Sequence, residues 1–182
     1  MTRSRSHRLR RGALGLALAL TAGAASPASA DTTPKIWTRV TDNDEVIAVV
    51  RIDAPLETVR KALISAEKAH SYAPTTLAAR ATTDGTCERI ALRVKGLFSP
   101  FVATTRRCPT SDGWLEKLVE SDDFSDYLAE WKLQSMGDAT AVHYRVRTII
   151  NVSVPQSMIT SQTRKVLKTT LQRLIAAVDA AS

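Results

Sequence analysis

Few residues in this chain are of types that could carry out chemistry. Its only two cysteines are Cys87 and Cys108. Beyond the basic leader only two histidines remain, His70 and His143. They fall in different predicted elements, with no acid or cysteine at ligand spacing, so no zinc or other metal site is expected. Gly-x-Ser-x-Gly, phosphate-loop and dinucleotide fingerprints are absent, and no cofactor is expected. Asp42-Asn43-Asp44 begins like a calcium loop, but no glycine or closing glutamate follows at the required positions, and it reads as a solvated turn. Asp122, Asp123 and Asp126 cluster where a hairpin should turn. His143 falls on a solvent-facing alternation. His70, close to Tyr72, is the candidate for a residue at the mouth of a binding cavity, with a structural or surface role as the simpler account. Arg107 and Glu88 fall on an inward alternation near one end of the predicted sheet; either of them buried there would reopen the case for an enzyme.

The leader explains the basic composition. Residues 1–11 hold five arginines and no acid, and run into the apolar stretch 13–25. Ala28-Ser29-Ala30 then offers small residues at a signal-peptidase site, just before Asp31. This is a cleavable signal peptide over 1–30, with cleavage between Ala30 and Asp31, because the apolar run is well short of the roughly 20 residues that span a bilayer. The expected product is periplasmic or secreted, bacterial in the style of its leader, without a transmembrane segment. Asn151-Val152-Ser153 fits a glycosylation pattern that such a source would leave unmodified. The whole chain has 25 Lys+Arg against 18 Asp+Glu; removing five arginines leaves 20 against 18. The basic excess therefore belongs to export, and no nucleic-acid partner is expected.

The elements that must position these residues follow from periodicity. The region 31–44 is read as an extension and 45–180 as one domain. Val46 to Ile52 is a β-branched, strand-length apolar run. Pro55 opens a short helix with Leu56, Val59 and Leu63 on one face, and Glu67 to Tyr72 is a second short helix stopped before Pro74. From residue 75 the period becomes two: about six antiparallel strands follow, with turns at Asp84-Gly85, 96–99, Ser111-Asp112-Gly113, Asp122-Asp123 and Gly137-Asp138. Pro155 opens a long helix striped by Leu167, Leu171, Leu174 and Val178. A sheet with one apolar face needs a cover, and only this helix is long enough. The fold class is α+β: a curved antiparallel sheet wrapped around a long C-terminal helix, with two short helices after the first strand.

If the hairpin folds about residues 97 and 98, Cys87 and Cys108 stand directly opposite, close to the β-carbon separation a disulfide requires before local adjustment, and an oxidising compartment would let it form. The same register sets Arg89 against Arg106 on the outer face.

Three stretches carry a resemblance. Ile52-Asp53-Ala54-Pro55-Leu56-Glu57-Thr58-Val59 resembles the opening signature of the START-like, helix-grip (SRPBCC) superfamily, which includes polyketide cyclases and coenzyme Q-binding proteins. Trp131-Lys132-Leu133 with Thr140 to Val146 is similar to its paired late strands, and Pro155 with the helix after it matches its terminal helix. The resemblance implies a deep cavity between sheet and helix for a lipid, sterol, quinone or polyketide-like molecule. Small inward residues, Ala103, Thr105, Ala129 and Thr148, would either leave room for it or let the helix sit close to the sheet. The candidate cavity residues are Leu92, Phe101, Ala129, Trp131, Tyr144 and Met158, with His70 at the mouth. The expected partner is a hydrophobic small molecule, bound or carried. A cyclase or dehydratase acting in the same cavity is the alternative, disfavoured because the predicted inward faces are almost wholly apolar, Thr or aromatic; a non-catalytic interaction domain is the second. Arg164, Lys165 and Lys168 are compatible with transient contact with an anionic membrane surface, although a solvated helix face is the simpler account.

Overall fold

The computed structural model describes residues 34–96 and 99–181. The expected signal peptide and its expected cleavage site between Ala30 and Asp31 lie outside the described residues. Eight strands form one antiparallel sheet: β1 (Trp37–Val40), β2 (Val46–Ile52), β3 (Thr76–Asp84), β4 (Cys87–Val94), β5 (Phe101–Pro109), β6 (Gly113–Glu120), β7 (Phe124–Ser135) and β8 (Thr140–Ile150). Helices α1 (Leu56–Ala62) and α2 (Ala66–Ser71) follow β2, and α3 (Gln156–Asp179) ends the chain. The spatial order is β1-β2-β8-β7-β6-β5-β4-β3, so the first hairpin joins the last strand and the meander β3 to β8 supplies the rest. The sheet curves around α3, as the resemblance implies.

The core follows from two periods meeting. Val46, Ala48, Val50 and Ile52 project from β2 at alternate positions; Val142, Tyr144 and Val146 from β8; Ala129, Trp131 and Leu133 from β7. Against them lies the α3 stripe of Leu167, Leu171, Leu174 and Val178, all buried, while Arg164, Lys168 and Arg173 are exposed. Each fully buried Leu or Val contributes about 1.5–3 kcal/mol relative to exposure. Gly85 (φ 65°) and Gly137 (φ 77°) close two hairpins in the left-handed region that glycine enters without a Cβ clash. Proline stands at the N-cap of both α1 and α3, one position ahead of the expected first helical residue.

The sheet has one strand more than the sequence suggests. Trp37–Val40, inside the region read as an extension, pairs with β2 from Trp37↔Val49 to Val40↔Val46. It is a four-residue edge strand with mostly exposed side chains, so it lacks the alternation that identifies a strand. The chain reverses into β2 through Asp42 to Asp44, with Asp44 at φ 58°.

The β4–β5 register runs from Glu88↔Arg107 to Val94↔Phe101, which places Cys87 opposite Cys108. Their sulfurs are bonded, with Cα atoms 4.3 Å apart. Arg89 faces Arg106 as expected, and the like charge is offset because Arg106 Nε donates to Asp84 Oδ2 at 2.7 Å. The bridge closes a loop with a sequence separation of 21, for which the chain-entropy model gives about 3 kcal/mol. Denaturant melts should therefore place Cys87→Ser/Cys108→Ser about 3 kcal/mol below the oxidised parent; equal midpoints would contradict this.

Candidate functional site

Between α3 and the sheet, over β4, β5, β7 and β8, lies a cavity of about 480 Å³. That is within the roughly 300–1,000 Å³ of small-molecule sites. Its walls come from β4 (Leu92, Val94), β5 (Phe101, Ala103), β7 (Phe124, Tyr127), β8 (Tyr144, Val146, Thr148) and α3 (Met158, Val166, Leu167). It exists because the aliphatic stripe of α3 fills only the β2–β8 half. Phe101, Ala103 and Phe124 form a separate apolar cluster on the other half. Lys95 and Met158 are exposed, so the cavity meets solvent beside them.

Leu92, Phe101, Tyr144 and Met158 all line this cavity, as do Ala103 and Thr148. Trp131 and Ala129 are buried at 4% and 2% exposure but lie in the main core, outside the lining. Trp131 stacks face to face on Tyr144, with ring centroids 3.7 Å apart, and so positions a cavity wall instead of forming one. Thr105 is buried behind the lining. His143 is exposed, in line with its solvent-facing alternation.

His70 is not at the mouth. It is buried on α2, and its Nε2 donates to both carboxylate oxygens of Glu116, at 3.1 and 3.0 Å. An ionised carboxylate can only accept, so Nε2 carries the proton. Thr105 Oγ1 donates to Glu116 Oε1 at 2.6 Å. Burial by itself raises the Glu116 carboxyl pKa, but the charge and hydrogen bond of His70, the Thr105 hydroxyl and the charge of Arg107 hold it below the ordinary carboxylate value. Its hydrogen bonds therefore stabilise the fold fully above the ordinary glutamate pKa of about 4.3 and are lost as pH falls through the lower folded value. The stability gap between the parent and Glu116→Gln should be about 2 kcal/mol at neutral pH. Below about pH 4 it should narrow; a gap constant to pH 2.5 in thermal melts would contradict this.

Arg107 and Glu88 are the other inward polar groups, and with Glu116 they form one row across the sheet, Glu88↔Arg107 and Arg107↔Glu116. The inner face is thus less apolar than the sequence reading held. Arg107 is 1% exposed. Its Nη2 donates to Leu63 O at 2.6 Å, its Nη1 to Glu88 Oε2 at 2.8 Å, and its guanidinium lies 4.5 Å over the Trp114 ring. Burial lowers the Arg107 pKa, opposed by Glu88 and Glu116. Glu88 in turn accepts the Ala66 N–H at the start of α2. The pair thereby satisfies a carbonyl at the end of α1 and an amide at the start of α2, fastening both helices to the sheet. Glu67 adds a tie from α2 to β3 by accepting the Ala81 N–H at 2.9 Å.

Glu116 is the residue that sequence reasoning missed. The signal was present, since it shares the inward parity of Trp114 and Leu118 in β6. Tyr127 and Tyr144 line the cavity within reach of the Glu116 charge, and burial together with that charge raises both phenols far above their ordinary range, so both stay neutral. Among the described residues, no group of His, Cys, Asp and Glu could hold a metal ion, and no helix is long and apolar enough to cross a membrane.

No family model matches the sequence, nor does any curated protein. Solved structures do match the fold. A START superfamily protein from Mycobacterium smegmatis aligns at 17% identity and TM-score 0.66, over 76% of this chain and 99% of that one. A STAR-related lipid transfer protein from Xanthomonas axonopodis aligns at 17% identity and TM-score 0.65, over 84% and 97%. The Zhui aromatase/cyclase from Streptomyces sp. R1128 aligns at 14% identity and TM-score 0.60, over 80% and 94%.

Proposed function

We propose that this chain, which has the START-like helix-grip fold, binds a hydrophobic small molecule in the cavity between sheet and α3 and carries it through an aqueous compartment. The observation that carries this reading is the cavity of about 480 Å³ with a largely apolar wall. Apolar area removed from water contributes about 25 cal/mol per Å², enough to hold a lipid-sized molecule without a charged partner. The lipid transfer protein among the structural neighbours supports the reading. The domain runs from β1 through α3, preceded by an export leader cleaved after Ala30; the Cys87–Cys108 bridge is compatible with an oxidising destination.

A second reading, a cyclase-type enzyme, is favoured by one observation, the buried Glu116–His70 pair close to the cavity tyrosines. The arrangement of Arg107 and Glu88 weighs against it, because both terminal nitrogens of Arg107 and the carboxylate of Glu88 are engaged in holding α1 and α2, although Arg107 Nε is buried without a partner. Incubation of the mature protein with the lipid and polyketide-like compounds of its own envelope separates the two. Ligand recovered chemically unchanged supports a carrier. Conversion that stops in His70→Phe, in protein that remains folded, makes it an enzyme and overturns the carrier reading.

A further inference from the structure

Two polar groups in the cavity wall have nothing to bond to. Tyr127 on β7 and Tyr144 on β8 both line it, yet neither hydroxyl has a hydrogen-bond partner among the described residues. Tyr144 is only 8% exposed. Neither hydroxyl is among the sealed, unpartnered atoms of the interior, and both residues line the cavity. Buried polar groups are nearly always satisfied, and one that faces a cavity is satisfied by what enters it.

Both rings are held in place: Tyr144 by its stack on Trp131, Tyr127 by Phe124 at 6.3 Å between centroids. On the sheet, Tyr127 pairs with Thr148 and Tyr144 with Trp131, with the pair Ala129↔Val146 between them. Glu116 lies beside Ala129 on β6. The two tyrosines therefore flank the Ala129–Val146 pair, with the Glu116 carboxylate next to Ala129.

We infer that Tyr127 and Tyr144 form the polar end of the cavity and donate to an acceptor oxygen of an uncharged, otherwise apolar ligand, a carbonyl compound whose hydrocarbon body lies toward Met158. A carbonyl oxygen has two lone pairs and accepts from both hydroxyls. A ligand carboxylate is disfavoured there: burial, together with the Glu116 charge, opposes an anion at either tyrosine and outweighs the favourable charge of Arg107 at Tyr144. The inference rests on the apolar-cavity reading and deepens it.

The test uses three probes of one chain length, tridecane, 2-tridecanone and tridecanoate, each displacing an apolar fluorophore from the mature protein. The parent should prefer the ketone over the alkane by about tenfold, the worth of one to two net hydrogen bonds, and bind the carboxylate no better than the alkane. Tyr127→Phe/Tyr144→Phe should bind ketone and alkane equally, keep the parent's alkane affinity within about twofold, and melt no lower than the parent, since no protein hydrogen bond is lost. Equal ketone and alkane binding in the parent, a ketone preference that survives the double substitution, or tighter binding of the carboxylate each overturns the assignment while leaving the apolar cavity intact. Failure of all three probes to bind overturns the cavity reading as well.

Discussion

Arg107→Met lowers the stability of the domain by about 3 kcal/mol, the cost of breaking a buried, hydrogen-bonded charge pair by removing one partner. Arg107 is 1% exposed, and its loss leaves Leu63 O without its 2.6 Å donor and Glu88 without its counter-ion. For a domain of about 150 residues that is a drop of about 9 °C in melting temperature. Glu88→Gln should cost less, about 1 kcal/mol, because the Glu88 side chain is 28% exposed and water takes over part of its role. The comparison also separates staple from catalyst. A methionine variant that melts within about 1 °C of the parent but loses a chemical activity would show that Arg107 serves reaction and not architecture.

Ala103→Trp should abolish ligand uptake, by tenfold or more in affinity, and leave the domain folded. Ala103 is 3% exposed, lines the cavity from β5, and faces Leu92 across the β4 pair. In a filled core an added indole would force strain of about 1–3 kcal/mol or more. Here the cavity receives it, so the melting temperature should hold or rise while an apolar fluorophore no longer binds. The exposed Lys132, replaced by alanine, should change neither property. A tryptophan variant that unfolds, or that binds the fluorophore as the parent does, would mean that the interior beside Ala103 is not the ligand site. Ala129 is the weaker position for this test, since it is buried in the main core.

What the sequence disclosed and what it hid have physical causes. The Cys87–Cys108 register was legible because hairpin pairing is local: once the turn is located, every opposed pair follows. The buried face of α3 was legible for the same reason, a helical period read within one element. The strand β1 was not, because a short, exposed edge strand carries no alternation and is specified by the β2 edge it pairs with. Half of the site was legible by parity, which places Leu92, Phe101, Ala103, Tyr144 and Thr148 inward. The cavity occupies only part of the space between sheet and helix, a consequence of curvature and of where α3 packs, so Trp131 and Ala129 face inward without lining it. His70 was misplaced because its partner is 46 residues away, on a strand that α2 meets only in three dimensions. Glu116 was within reach, had parity been applied to a charged residue as strictly as to its apolar neighbours.

Mass spectrometry of the material extracted from natively purified mature protein, without detergent or refolding, bears most directly on the central claim. The account predicts one equivalent of an uncharged, carbonyl-bearing apolar molecule from the parent and none from Ala103→Trp. Parent protein that carries no lipid-like molecule and takes up none from an envelope extract would contradict it.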